Sequence, residues 1–257
     1  MVEAVGAGVT TTTKPDDRVS FARQPGTYVG ACLVNADSLI PLPEDISFEQ
    51  GAAFPLQGMT AHYLIHDFRQ PHPGNVALIH AAAGGVGLML VQWARHLGAR
   101  VIGTVSTEDK ARAVRQAGAD EVINYSRSDF AAETLRLNGS HGADLIIDGV
   151  SKAIFPGNLA AAALRGHIMI FGAANGPADP ASPNALMTRS LTVSGGDLRH
   201  FPTDRDQMLR RVRDTLAGIR DDGLNLPVFA TLLLAEASKA HQMLEKLSKQ
   251  RQDILTP

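Results

Sequence analysis

VALIHAAAGGVGLMLVQWARHL, residues 76–97, joins an apolar run to a helical pattern through a glycine loop. Val76–His80 is apolar until its final residue, as a strand buried on both faces requires. Val86–Leu97 then spaces its apolar residues along one helix face. Between the two, Ala81-Ala82-Ala83-Gly84-Gly85-Val86-Gly87 reads as A-x-G-x-x-G, with Ala82, Gly84 and Gly87 at the three small positions. Small residues let the chain turn sharply, approach a pyrophosphate with its backbone, and pack the helix closely on the strand. The helix start adds N–H groups without intrahelical acceptors and the positive end of a dipole. A tight strand-to-helix turn with no ligand would also use small residues. The strand before the loop, the helix after it and the repeated units downstream favour the nucleotide reading.

Those units continue along the chain. Strand-like runs at Arg100–Val105, Glu121–Asn124, Ala143–Asp148, His167–Gly172 and Leu191–Ser194 alternate with helical patterns at Glu108–Gln116, Asp129–Leu137 and near Asn158–Leu164. Such alternation predicts an α/β fold with right-handed crossovers and a doubly wound parallel sheet. Asn175–Pro183, rich in Pro and Ala, reads as an exposed connection. The flanks differ in character. Residues 1–55 hold short strand-like pieces (VEAVGAGV, RVSFA, TYVGACLV) and no helix until about Phe48, which predicts a β-rich segment. Asp204–Ile219 and Glu236–Leu247 read as amphipathic helices around a β-like run, Leu226–Leu234. The expected layout is a remainder of a β-rich domain at 1–55, a nucleotide-binding domain at 56–200 and a return to the first domain at 201–257.

Composition narrows the classes. Lys and Arg number 24 against 26 Asp and Glu, giving a net charge of −2 and no footprint for nucleic acid. Hydrophobic residues at 44% can fill a sizeable core. Cys32 is the only cysteine, which excludes a disulfide framework and a Cys-rich zinc site. No apolar stretch reaches the length of a membrane span, and the first residues lack a signal-peptide pattern. A soluble, cytoplasmic protein with no membrane partner is expected.

The second strand bears on cofactor choice. An NAD site would carry Asp or Glu about 20 residues past the loop, on the ribose hydroxyls. Ser106 stands nineteen residues after Gly87, followed by Thr107, with Lys110 one helical turn on. Hydroxyls and a cation there suit a 2′-phosphate, which favours NADPH. Glu108 or Asp109 turning in to the ribose is the alternative.

Other signals carry less. His62 and His66 have metal-ligand spacing on a helix, but Tyr63 stands where H-E-x-x-H needs Glu, so a solvated helix face is expected and no metal site. His80 reads as a satisfied structural histidine. Arg210, Arg211 and Arg213 share a helix with Asp204, Asp206 and Asp214 and read as a mixed charged face. Asp148 ends a strand at the crevice, or caps the next turn. No G-x-S-x-G elbow occurs, and no catalytic set emerges from spacing.

The stretches SFEQGAAFPLQGMTAHYLI (47–65), LIHAAAGGVGLMLVQWARHLGARVIGT (78–104) and AGADEVINY (117–125) resemble the zinc-free, zeta-crystallin-like quinone oxidoreductases of the medium-chain dehydrogenase/reductase superfamily. The resemblance implies a Rossmann sheet with an incomplete β-rich, GroES-like catalytic domain. It implies NADPH-dependent reduction of quinones or other α,β-unsaturated carbonyls by a homodimer. It carries Thr60 to the nicotinamide and Ala83, Gly84, Gly85, Val86 and Gly87 to the pyrophosphate. Ser106, Thr107 and Lys110 would surround the 2′-phosphate, and Tyr125 the adenosine end. Val150, Phe171, Gly172 and Ala173 would line the nicotinamide side; no catalytic residue is assigned. By the same analogy, a segment of roughly 65–70 residues with substrate-pocket side chains would precede VGAGV at Val5–Val9. Arg251 stands where the family usually has glycine, in Gln250-Arg251-Gln252-Asp253. The rival readings are an enoyl-thioester reductase and an NADPH-binding protein without turnover.

Overall fold

The computed structural model describes residues 1–221, 223–226, 228, 230–245 and 253–256. A strand-like run becomes a strand only when another backbone pairs with it. Within residues 1–55 that happens briefly, at β1 (Val19–Ser20) and β2 (Ile40–Pro41), which pair antiparallel. The rest of the segment is largely irregular and exposed, so strand pairing within residues 1–55 is limited to these two short strands.

Helix α1 (Phe48–Tyr63) starts at a capping box: the Gln50 amide donates to the Ser47 hydroxyl, and the Ser47 amide to the Gln50 side chain. Pro55 lies inside it and has no N–H for the Gly51 carbonyl four residues back. The buried Ser20 hydroxyl donates to that carbonyl instead. A residue of β1 thereby completes the hydrogen bonding of the helix that follows.

The central β/α alternation forms, with a longer strand at Ala162–Ile170 and a short helix at Pro183–Met187 that the residue pattern does not predict. β3 (Val76–Ile79), α2 (Gly85–His96), β4 (Arg100–Val105), α3 (Glu108–Gln116), β5 (Glu121–Asn124), α4 (Phe130–Leu137), β6 (Ala143–Asp148), α5 (Phe155–Ala161), β7 (Ala162–Ile170), α6 (Pro183–Met187) and β8 (Thr192–Gly195) follow in order. The sheet runs β5-β4-β3-β6-β7-β8, and all its pairings are parallel. This is the doubly wound order, with the direction of winding reversing beside β3. Alternate residues of β3 feed opposite faces: Ala77 and Ile79 join a core with α1 and α2, while Val76 and Leu78 join one with α5.

The Ala-rich region divides earlier than its composition suggests. The helix occupies Phe155–Ala161 and the strand begins at Ala162, which pairs with Ala143 before a register shift brings Leu145 opposite His167. Pairing along β6 overrides the helix preference of alanine. Toward the carboxyl terminus, α7 (Arg205–Asp221) packs on α1, and β9 (Ala230–Leu233) pairs parallel with β10 (Asp253–Thr256) around α8 (Ala237–Glu245). Parts of the Leu226–Leu234 run, the end of the expected Glu236–Leu247 helix and Gln250-Arg251-Gln252 lie outside the described residues.

Two expectations are corrected here. His62 is 4% exposed and Arg211 3%, so neither belongs to a solvated face. Arg211 lies on the stripe of α7 that also carries Val212, Thr215 and Leu216, turned toward α1. Its guanidinium donates to His62 Nδ1 at 3.0 Å and pairs with Asp67 at 2.6 Å. His62 therefore carries its proton on Nε2 and donates it to Asp214 at 2.9 Å. Arg210 and Arg213 do face solvent.

Replacing Ser20 with Ala should lower stability by about 1–2 kcal/mol, because a buried carbonyl loses its donor. The loss should shrink in a Pro55→Ala background, where an N–H becomes available. Denaturant unfolding of both single variants and the double variant measures this coupling; strictly additive losses would contradict it.

Candidate functional site

The carboxyl ends of the strands converge on the loop between β3 and α2. Ala81 adopts a left-handed φ of 47°, and the Ala82 amide donates to the Thr104 carbonyl at 3.2 Å, fastening the loop to β4. Gly84 caps α2 without a side chain, leaving the helix end open. The first-turn amides of a helix have no intrahelical acceptor, so this end presents N–H donors and positive potential. Gly87 is fixed by close approach: a Cβ there would lie 2.5 Å from the Ala81 carbonyl oxygen and 2.8 Å from Ala82 backbone atoms. Ala83, Gly84, Gly85, Val86 and Gly87 thus form one continuous turn and helix start.

Past β4, the chain gathers Ser106, Thr107 and Lys110. Thr107 caps α3, its hydroxyl accepting from the Lys110 amide at 3.3 Å. The Lys110 Nζ donates to the Ser106 hydroxyl at 3.1 Å, and partial burial lowers the Lys110 pKa. Glu108 pairs with Arg115 and Asp109 with Arg112, holding both carboxylates on salt bridges of α3. The end of β5 joins this group through the Ser126 hydroxyl, which donates to the Ser106 carbonyl at 3.1 Å. Tyr125, half-exposed, lines a cavity of about 480 Å³ with His80, Thr104, Phe130, Val150 and Asn175.

Below that cavity runs a buried polar chain. Asp148 is fully buried; its Oδ1 accepts from the Val150 and Ser151 amides at 2.7 and 2.8 Å. Its Oδ2 accepts from Asn158 Nδ2 at 2.8 Å. The Asn158 oxygen is then the acceptor for His80 Nε2, at 2.8 Å, so the proton sits on Nε2. His80 Nδ1 accepts from the Thr104 hydroxyl at 3.0 Å. Asp148 caps the turn after β6, and His80 is a satisfied structural histidine. Asn158 and Thr104 escape a reading by spacing, since their partners come from other strands.

The turn held by Asp148 meets the end of β7. The Phe171 amide donates to the Asp148 carbonyl at 2.9 Å, and the Asn175 amide to the Val150 carbonyl at 3.1 Å. Gly172 packs against Gly149, so Val150, Phe171, Gly172 and Ala173 lie on two adjoining connections. Thr60 stands apart on α1, buried, its hydroxyl donating to the Leu56 carbonyl at 2.6 Å. Among the described residues, no three His, Cys, Asp or Glu side chains converge as metal ligands. No described helix is long and apolar enough to cross a membrane.

Comparison with known proteins relates this geometry to others. Residues 85–214 match the family model for zinc-binding dehydrogenases. The chain is 37% identical to a quinone oxidoreductase of Pseudomonas aeruginosa over 259 residues, covering 100% of this chain and 79% of that one. It is 38% identical to a 2-haloacrylate reductase of a Burkholderia species, over 94% of this chain and 74% of the relative. A solved structure of Escherichia coli quinone oxidoreductase complexed with NADPH superposes with a TM-score of 0.93 at 33% identity, covering 99% of this chain and 79% of that chain.

Burial lowers the His80 pKa from the usual histidine range to about 4, against the opposing influence of Asp148 and Asn158. The unfolded chain takes up a proton near pH 6.5 that the folded chain refuses, so this contribution to stability is complete above that pH. It is lost progressively as pH falls from about 6.5 toward 4. Burial shifts His62, His66 and His167 in the same direction. Imidazole NMR should show no His80 titration between about pH 8 and 5; a midpoint near 6.5 would mean a solvated ring.

Proposed function

The chain belongs to the quinone oxidoreductase family of the medium-chain dehydrogenase/reductase superfamily, and on that premise we propose that it reduces a quinone or another α,β-unsaturated carbonyl with NADPH. The observation that carries the cofactor choice is the end of β4. Lys110 and Ser106 stand together there, while Glu108 and Asp109 are held by arginines. A 2′-phosphate gains charge-assisted bonds at such a place and meets no free carboxylate. The open, side-chain-free cap of α2 fits a pyrophosphate, which the amides of Gly85, Val86 and Gly87 would bind. Tyr125 would border the adenosine, and Val150, Phe171, Gly172, Ala173 and Thr60 the nicotinamide.

Bound NADPH supplies a hydride. The chain's own part is to orient the cofactor on fixed loops and to keep water from the reacting face. Reduction without zinc belongs to this reading, and is supported by the single cysteine of the sequence. Polarisation of the acceptor carbonyl then falls to hydrogen bonds or to the acceptor's own conjugation. The 2-haloacrylate reductase relative, named for a conjugated acid, supports the broader acceptor class. The reading extends to a homodimer, and to residues 1–55 and 201–257 forming one unit beside a nucleotide-binding unit at 56–200.

Titration of the purified chain with NADPH and NADH, followed by a naphthoquinone, tests the proposal. NADPH-selective binding with turnover is expected; binding without turnover would leave a nucleotide-binding protein in place of a reductase. Lys110→Ala should weaken NADPH about 10- to 100-fold and leave NADH within about twofold. Equal losses for the two would overturn the 2′-phosphate assignment.

A further inference from the structure

Gln57 lies on the α1 face that meets the glycine loop, three residues before Thr60. Its side-chain amide is pressed against Gly85, the first residue of α2. A Cβ built on Gly85 would fall 2.1 Å from Gln57 Oε1 and 2.3 Å from both Cδ and Nε2. The two glycines of the loop are therefore constrained by different things. Gly87 faces backbone, which cannot yield, whereas Gly85 faces the end of one flexible side chain. Gln57 is half-buried, and its amide makes no hydrogen bond to another described residue. It rests beside a helix end whose cap, Gly84, offers no side chain.

We propose that Gln57 is a cofactor-contacting residue whose amide closes the pyrophosphate cradle from the α1 side. The assignment rests on the reading of the loop as an NADPH site. An anion on the first turn of α2 meets the backbone amides from one side. Gln57 Nε2 adds a donor from a different element, and the absence of a Cβ on Gly85 gives that donor its place. A hydrogen bond to an ionised phosphate is of the stronger, charge-assisted kind. Because both dinucleotides share the pyrophosphate, Gln57 supports NADPH and NADH alike, in contrast to Lys110.

Dissociation constants for NADPH and NADH, measured by calorimetry alongside thermal melts, test this on the unaltered chain, Gln57→Ala, Gln57→Glu, Gly85→Ala and the Gly85→Ala/Gln57→Ala double variant. Gln57→Ala should weaken both cofactors by about 10-fold. Gln57→Glu keeps the shape, sets a negative charge against the phosphate and should weaken both further, to about 100-fold, with an unchanged melting temperature. In the Gly85→Ala background, where a Cβ already displaces the amide, Gln57→Ala should add less than about twofold. An unaltered chain that binds NADPH, with Gln57→Ala and Gln57→Glu binding equally well, would overturn the assignment alone. A loss confined to NADPH, or fully additive losses in the double variant, would overturn it as well. Failure of the unaltered chain to bind NADPH would remove the nucleotide reading and this proposal together.

Discussion

Asp148 is a carboxylate with no exposed surface at the end of β6, and its surroundings are organised to satisfy it. Removing a charge from water costs several kcal/mol unless hydrogen bonds replace the lost hydration. Two backbone amides and the Asn158 side chain do so here. Meeting that requirement fixes the turn at Gly149–Ser151, orients α5 through Asn158, and ties both to β3 and β4 through His80 and Thr104. The connections that line the cavity thus have little freedom to drift. Four strands of the sheet end at one shared polar knot, since β7 joins through the Phe171 amide.

A second polar contact works at a distance from the cavity. Arg211 reaches from α7 to Asp67 and His62, beside the ring of Trp93, and so fastens the carboxyl-terminal region to the helix that precedes β3. Asp214 accepts the hydrogen bond from His62 Nε2 and is itself about half-exposed. A buried guanidinium with its acidic partner removed would be costly, whereas the same arginine in water would contribute little. The α1 helix is therefore held from both flanks: Ser20 binds its first half and Arg211 the end. That helix presents Gln57 to the glycine loop, so its placement matters to the crevice.

The β/α alternation is legible in the sequence because buried parallel strands and amphipathic helices impose different periods on the same residue types. The glycine loop is legible because close backbone approach excludes larger residues, as Gly87 shows against Ala81 and Ala82. Burial of His62 and Arg211 is not, since their partners are supplied by elements about 150 residues apart, and charged residues are ordinarily exposed. Gln57 is hidden for a related reason: its contact belongs to the packing of α1 on α2 and leaves no periodic trace. The strand-like runs of residues 1–55 illustrate the converse, because β character in one segment specifies nothing about whether a partner strand lies beside it.

The chain of bonds from Thr104 to Asp148 has a direction. Every donor points the same way, from hydroxyl to imidazole to amide to carboxylate, and the amide is the decisive link. Imidazole and carboxylate in direct contact exchange protons readily; an asparagine between them holds its own hydrogens and passes none on. Asn158 therefore joins His80 and Asp148 mechanically and blocks direct proton transfer between them, while the Asp148 charge still acts on the ring. The floor of the crevice is polar, and the Asn158 amide interrupts any relay of hydrogens along it.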